Sequence, residues 1–240
     1  MSVDYSVIVP AYNEERWLPY TLSKLQQAMA GISLQGELIV VDNNSTDGTA
    51  ELARKHGARV VFEEYNQISR ARNAGARTSQ GRILVFVDAD TLIPQELLAK
   101  ALENLETENC CGGGTTVAFD TPLNVGGRVG LALWNKISAT LKLAAGCFIY
   151  CRREGFEAVG GFSEAVYASE EIWLSRSLKR WGRSQGQAYC IITDYPAHSS
   201  GRKLEWFGTW QQTGLLLLML LFPFFVRFKR LCGFWYKRPE

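Results

Sequence analysis

The passage that most constrains the fold runs from Arg82 to Asp90 and reads RILVFVDAD. Its first part is an unbroken run of β-branched, aliphatic and aromatic residues, which is typical of a strand buried on both faces in the middle of a parallel sheet. Two acids follow. Because alternate residues of an extended chain point the same way, Asp88 and Asp90 are expected to share a face at the carboxyl edge of this strand, where open α/β sheets bind ligands.

Two carboxylates aimed at one point repel each other unless a cation lies between them. Mg²⁺ and Mn²⁺ favour carboxylate oxygens and often take their other ligands from water and substrate phosphates. The Asp88-Ala89-Asp90 triplet therefore predicts a site for a divalent metal and a diphosphate. A solvated turn that happens to hold two acids is the alternative, and the rest of the chain must decide between them.

The order of elements around this passage predicts a parallel sheet. Before it, apolar strands are expected at 5–9, 37–42 and 59–62, and helices at 18–29, 49–55 and 69–78. This βαβαβαβ alternation places the strands side by side with helices on both faces. Pro10 is expected to stop the first strand, since proline cannot donate to a ladder.

The second half of the chain is less regular. A helix is predicted at 94–105, a triple-glycine loop at 112–114, and strands at 115–119, 147–151 and 187–193. Another helix is predicted from residue 170 to 181, with Gly182 as its stop. Because no linker separates the two halves, we expect one fused domain whose second half closes over the first.

Composition excludes several classes of protein. A chain of 240 residues, 47% of them hydrophobic, is long enough for one large α/β domain. The first 200 residues carry a formal charge of −3, which argues against nucleic-acid binding because that usually needs a basic face. Six cysteines without a Cys-x-x-Cys pair, and no signal-peptide pattern at the start, predict buried thiols in a reducing, cytoplasmic compartment.

Four segments expected at one edge of the sheet closely resemble the motifs of the family 2 glycosyltransferases of GT-A fold. They are VIVPAYNE at 7–14, VDNNSTDGT at 41–49, ARNAG at 71–75 and VDAD at 87–90. The resemblance covers residues 5 to 182. It implies a Rossmann-like, mostly parallel sheet flanked by helices. It also implies transfer of a sugar from a UDP- or GDP-type donor to an acceptor hydroxyl, with inversion and with Mg²⁺ or Mn²⁺.

The resemblance also assigns roles on the donor side. Pro10, Ala11, Tyr12 and Glu14 match the loop that holds the nucleoside, Asp42 the acid that reads the base, and Arg72 and Asn73 the stretch near base and ribose. Asp88, with Ala89 beside it, matches the acid near ribose and metal, and Asp90 the direct metal ligand. The second acid often found after Asp42 is Asn43 here, which removes one negative charge.

On the acceptor side, the pair Glu170-Glu171 resembles the acidic pair that supplies the catalytic base. The usual pair is Glu-Asp; by position Glu171 would be the base, and the choice within the pair stays open. His198 is either an ordinary loop histidine or a third metal ligand. Arg202 and Lys203, next to it in the sequence, are candidates to clamp the diphosphate.

Residues 1–200 are thus predicted to form the glycosyltransferase domain, with a nucleotide-sugar half at 1–110 and an acceptor half at 111–200. Residues 201–240 form an apolar and basic tail of charge +5. Its apolar run at 214–226 is 13 residues long, short of the ~20 that a spanning helix needs. A core helix is one interpretation. The other is peripheral attachment to the cytoplasmic face of a membrane, near a lipid-linked acceptor.

Two other functions are weaker alternatives. A sugar-phosphate nucleotidyltransferase would need a glycine-rich, basic phosphate loop after the first strand, and Tyr12-Asn13-Glu14-Glu15 is acidic instead. A catalytically silent binding module would not need the acids at Asp42, Asp90 and Glu171.

Overall fold

The computed structural model describes residues 3–106, 109–201, 227–228 and 232. The strands within these ranges are β1 (Tyr5–Ala11), β2 (Gly36–Asp42), β3 (Arg59–Phe62), β4 (Ile83–Val87), β5 (Thr91–Leu92), β6 (Cys110–Phe119), β7 (Phe148–Arg152) and β8 (Ala188–Ser199). The helices are α1 (Leu18–Ala30), α2 (Thr49–Lys55), α3 (Ile68–Thr78), α4 (Gln95–Glu106), α5 (Val125–Leu141), α6 (Arg153–Ala158) and α7 (Glu170–Ser184).

All of these strands join one sheet in the order β3-β2-β1-β4-β7-β6-β8-β5. The first four are parallel, with Tyr5 opposite both Gly36 on β2 and Ile83 on β4, as the alternation of strands and helices predicted. Strand β7 then pairs antiparallel with β4, Val85 lying opposite Tyr150. The second half of the chain therefore extends the same sheet, and the α/β fold is a single domain.

The central strands are buried on both faces, which explains their unbroken apolar sequence. Val7 and Val85 point into one core, where leucines of α1 and α4 pack on them. Ile8 and Phe86 point into a second core, formed with α3, α6 and α7. The period of two along each strand sends neighbouring residues to opposite faces. Five of the six cysteines are buried, as predicted: four lie in these two cores, and Cys232 lies in a separate small cluster with Val166 and Ala168. Cys190 is half-buried.

Pro10 does not end the first strand, contrary to the sequence-based expectation. β1 continues to Ala11, and Pro10 lies opposite Val41 of β2. The pairing of β1 with β4 ends at Ile8. Beyond that point the strand has a partner on one side only, so a residue without an amide hydrogen is tolerated there.

The sequence analysis predicted a loop at residues 112–114 and the end of a helix at Gly182, and both predictions were wrong. Gly113 lies within β6, where an added Cβ would overlap the carbonyl oxygen of Cys190. Gly182 lies within α7, where a Cβ would come within 2.5 Å of the sulfur of Cys111. These glycines allow neighbouring backbones to pack closely, and the elements run through them.

Helix α5 was not predicted at all. Asn124 caps it, its side chain accepting a hydrogen bond of 2.8 Å from the amide of Gly127. Three glycines within the helix weaken its sequence signal. In the part of the chain that the structure describes, no helix combines the length and the apolar character needed to cross a membrane. The tail predicted for residues 201–240 lies almost entirely outside the described residues.

Candidate active site

A cavity of about 220 Å³ opens at the carboxyl ends of β1, β2 and β4. Most of the residues expected in the site line it: Pro10, Ala11, Tyr12, Glu14, Arg72, Asp88, Ala89, Asp90, Glu170 and Glu171. Residues from both halves of the chain therefore meet in one concave site. Sequence reasoning missed other lining residues, among them Asn66, Gly146 and Cys147, which belong to connections without a distinctive motif.

Asp88 and Asp90 both line this cavity, but not for the reason that strand alternation suggested. β4 ends at Val87, and the two acids lie in a turn closed by a hydrogen bond of 3.1 Å from the amide of Thr91 to the carbonyl of Asp88. Asp90 is 7% exposed, and the side chain of Asp88 is 23% exposed. The turn, and not the strand, brings the two carboxylates to the cavity.

Arg72 is the buried cation beneath this site, with a side chain only 1% exposed. Its guanidinium donates to the carboxylate of Asp88 at 2.8 Å and to that of Glu170 at 2.6 Å. It also donates to the carbonyl of Gly146 at 2.7 Å and stacks on the ring of Phe162. Burial alone would lower the pKa of Arg72, but the charges of Asp88, Glu170 and Glu171 raise it, so Arg72 stays charged.

The two glutamates at the start of α7 differ in environment. Glu170 is 4% exposed and held in the ion pair with Arg72. Glu171 is half-buried, and its carboxyl lies close to Gly146 at the cavity wall. Burial, reinforced by the charge of Glu170, raises the pKa of Glu171 to about 8. At neutral pH the isolated protein therefore holds a proton on Glu171.

Two loops form the wall expected to hold the nucleoside. The loop after β1 carries Tyr12 and Glu14, and the amide of Glu14 donates to the hydroxyl of Thr49 at 2.8 Å. In return, the amide of Thr46 donates to the side chain of Asn13 at 2.8 Å. Asn13 itself has a positive φ of 52°, which asparagine tolerates better than most residues. The loop after β1 is thus fixed by the loop after β2.

Asp42 ends β2 and is not among the residues that line the cavity, whereas Asn43, the next residue, is. Asp42 is 7% exposed and accepts a hydrogen bond from the amide of Ser45. Asn43 lines the cavity; its amide group donates to the carbonyl of Tyr65 at 2.7 Å and its oxygen accepts from the amide of Gln67 at 2.9 Å. An aspartate could not donate to a carbonyl, so the connection from β3 to α3 explains the asparagine at 43.

Asn73 does not line the cavity. Its side chain donates to the carbonyl of Phe162 at 2.9 Å and accepts from the amide of the same residue at 3.0 Å. It also donates to Glu164 at 3.1 Å. Asn73 thereby fastens the loop after α6 to α3, whereas the sequence had suggested a place near base and ribose.

The remaining predicted metal and phosphate ligands are not part of the described cavity. His198 is exposed on β8, opposite Leu92 of β5. Arg202 and Lys203 lie outside the described residues. Across ranges 3–106 and 109–201, no three histidine, cysteine or acidic side chains are grouped closely enough to hold a metal by themselves.

The sequence matches the model of a known family, described as glycosyl transferase family 2, over residues 6–160. It is 27% identical over 218 residues to the glycosyltransferase AglE of Haloferax volcanii, covering 83% of this chain and 69% of that protein. It is 30% identical over 129 residues to the dolichol-phosphate mannosyltransferase of Pyrococcus furiosus, covering 52% of this chain and 34% of that one.

Solved structures share the fold. The mannosyltransferase PcManGT of Pyrobaculum calidifontis, solved with GDP-Man and Mn²⁺, matches with a TM-score of 0.67 at 21% identity, over 83% of this chain and 57% of that one. The glucosyl-3-phosphoglycerate synthase of Mycobacterium tuberculosis, solved with Mn²⁺ and UDP, matches with a TM-score of 0.64 at 22% identity. The match covers 90% of this chain and 79% of that one. The chain belongs to glycosyl transferase family 2, has the GT-A fold and is an enzyme that transfers sugars.

Proposed function

We propose that this enzyme moves a sugar from a nucleoside-diphosphate donor to an acceptor hydroxyl, with inversion and with a divalent metal. One observation carries the proposal: the acids of the VDAD motif and the glutamate pair of α7 line the same cavity. The structural neighbours solved with GDP-Man and Mn²⁺, or with UDP and Mn²⁺, support a donor of this kind.

The charges of the cavity fit a bound cation. Asp88, Asp90, Glu170 and Glu171 line it, and Arg72 is the one base among its lining residues. Asp88 and Asp90 offer the hard oxygen ligands that Mg²⁺ and Mn²⁺ prefer. Two protein carboxylates leave the other coordination positions to water and donor phosphates. A metal held there would neutralise the charge that develops on the departing diphosphate.

Glu171 is the residue we assign as general base. Glu170 is engaged by Arg72, whereas Glu171 lies at the cavity wall with a pKa raised to about 8. A base of that pKa is well matched to taking a proton from a hydroxyl near neutral pH. One carboxylate acting on the acceptor, opposite the leaving diphosphate, favours inversion at the anomeric carbon.

Melting curves with a panel of UDP- and GDP-sugars, each with and without Mn²⁺, test the donor assignment. A metal-dependent rise in melting temperature with one nucleotide class is expected, and it should disappear in Asp90→Asn. Binding that is independent of metal, or unchanged in the variant, would contradict the role of Asp90.

Product analysis then separates the alternatives. Formation of a nucleotide sugar from a sugar phosphate would indicate a nucleotidyltransferase, and donor binding without any transfer or hydrolysis would indicate a silent module. The acceptors tested in this product analysis include lipid-linked ones, because one relative is named a dolichol-phosphate mannosyltransferase.

A further inference from the structure

Helix α5 presents an apolar side to solvent. Val125, Val129 and Leu133 lie four residues apart on one side of the helix and are 77%, 63% and 57% exposed. Leu141, at the end of the helix, is 56% exposed. The opposite side is the one that packs: Trp134 contacts the core, and Asn135 pairs with the backbone of Val117.

Both charged residues of α5 are positive. Arg128 and Lys136 are both exposed. With 3.6 residues per turn, Lys136 lies between Val125 and Val129 around the helix, and Arg128 lies about 60° from Val125, at the edge of the apolar side. The sequence contains no acid between Asp120 and Glu154. An apolar helix face with basic residues beside it and no acid is the composition of helices that lie at a membrane interface.

A second group of bases adjoins the end of α5. Lys179 of α7 donates a hydrogen bond of 2.7 Å to the carbonyl of Leu141, which brings α7 against this end of the helix. Partial burial, together with the charges of Arg183, Arg176 and Lys142, lowers the pKa of Lys179, so the four bases lie close enough to repel one another.

These bases lack the acidic neighbours that usually offset such a cluster. In the part of the chain that the structure describes, no salt bridge joins Lys142, Arg176, Lys179 or Arg183 to a carboxylate. Trp173, about one turn before Arg176 on α7, is 44% exposed. Aromatic residues and unpaired bases together are typical of surfaces that meet lipid headgroups.

We propose that this surface, made of the exposed side of α5 and the basic cluster at Lys142, Arg176, Lys179 and Arg183, binds an anionic membrane leaflet. The apolar residues would enter the headgroup boundary while the bases meet anionic lipids. The proposal goes beyond the transfer reaction and does not depend on it. It also does not rest on the tail beyond residue 201.

Paired fluorescent labels in the 240-residue chain test whether α5 itself meets the lipid. An environment-sensitive dye is attached through Val129→Cys in one variant and through Phe62→Cys in another. Phe62, on the edge strand β3, is similarly exposed, at 61%. The protein without an added cysteine serves as the labelling blank, and melting curves confirm that both variants fold.

With vesicles containing phosphatidylglycerol, the dye at 129 should shift to the blue and be quenched by brominated lipids, whereas the dye at 62 should not. Arg176→Gln combined with Arg183→Gln should weaken vesicle binding, followed by the response at 129, by about thirtyfold, since each base near an anionic surface strengthens binding by about fivefold. Arg54→Gln with Arg77→Gln, two exposed bases elsewhere, is the matched control and should leave the response unchanged.

Three outcomes would overturn the proposal. Equal responses at 129 and 62, or none at either, would show that α5 does not face the lipid. An equal response with neutral phosphatidylcholine vesicles would remove the role of the bases. A shift at 129 that grows with protein concentration in the absence of vesicles would show that a second copy of the chain covers α5.

Discussion

Glu171 should make the reaction strongly dependent on pH. A general base must be deprotonated before it accepts a proton, and the pKa of Glu171 is raised to about 8 from the ordinary 4.5. At 1.36 kcal/mol per pH unit, this corresponds to about 5 kcal/mol against the charged form. In the ligand-free protein about a tenth of the Glu171 carboxyls would be deprotonated at pH 7 and about a hundredth at pH 6. The rate should therefore rise about tenfold per pH unit below the pKa that Glu171 has in the donor complex and level off above it.

Glu170→Gln is the perturbation that tests this account. Burial is the first cause of the raised pKa of Glu171, and the charge of Glu170 is the second. The glutamine removes that charge, while its oxygen can still accept the hydrogen bond that Arg72 now donates to Glu170. The rising part of the pH profile should consequently move to lower pH. At pH 6.5 the ratio of kcat/KM in the variant to kcat/KM in the wild type should therefore be higher than at pH 9.

The assay is kcat/KM for the acceptor between pH 5.5 and 9.5, with donor and metal saturating. Glu171→Gln should lose turnover at every pH, because an amide cannot take the proton. An unmoved profile in Glu170→Gln would refute the electrostatic reasoning. If Glu170→Gln were inactive throughout while Glu171→Gln still turned over, the base would be Glu170.

Stability provides a second measurement with a defined sign. Because the pKa of Glu171 is higher in the folded state than in the unfolded chain, the protonated carboxyl favours folding. This contribution is fully present below pH 4.5 and is lost as the pH rises through about 8. Glu171→Gln should therefore become more stable relative to the wild type between pH 6 and 9, as measured by urea unfolding of the ligand-free protein.

Three further variants test the rest of the site. Asp90→Asn should lose Mn²⁺-dependent stabilisation by the donor in melting curves, yet unfold in urea like the wild type, because the turn lies at a strand end. Arg72→Met leaves the buried Glu170 and the half-buried Asp88 without their cation and should cost about 3–5 kcal/mol in the same unfolding assay; a cost below 1 kcal/mol would contradict the ion-pair argument. Asn73→Ala should lower the free energy of unfolding by about 1–3 kcal/mol, because it leaves the backbone of Phe162 unpaired. Asn66→Ala makes the same substitution at the cavity wall and serves as the comparison.

The first half of the fold could be predicted from the sequence because its signals are local. The run that forms β4 is apolar throughout, since that strand is buried on both faces, and each preceding strand is followed by a helical repeat. The same reasoning failed at Gly113 and Gly182. There a glycine is required by a neighbouring backbone or side chain that lies far away in the sequence. Such close approaches have no signature in the local sequence.

The site was predictable to a similar extent. The motifs included many of the residues that line the cavity, but they missed Asn66, Gly146 and Cys147 and did not indicate which residues contact one another. Asn73 and Phe162 are separated by 89 residues, and nothing in either segment indicates their hydrogen bonds. The sequence showed Asn43 only as an asparagine in place of the acid often found after Asp42. In the structure its side-chain amide donates to the carbonyl of Tyr65, which an aspartate could not do.

Helix α3 links the two sides of the proposed reaction. One terminal nitrogen of its Arg72 side chain donates to Asp88, on the side assigned to donor and metal. The other donates to Glu170, beside the assigned base. One residue later, Asn73 holds the loop at Phe162, which leads toward α7. Any change that draws Asp88 toward a bound metal would weaken its hold on Arg72, and Arg72 is then freer to neutralise Glu170. Because the charge of Glu170 raises the pKa of Glu171, occupation of the donor side should make the base easier to deprotonate. The buried arginine thus provides a route by which donor binding prepares the acceptor side.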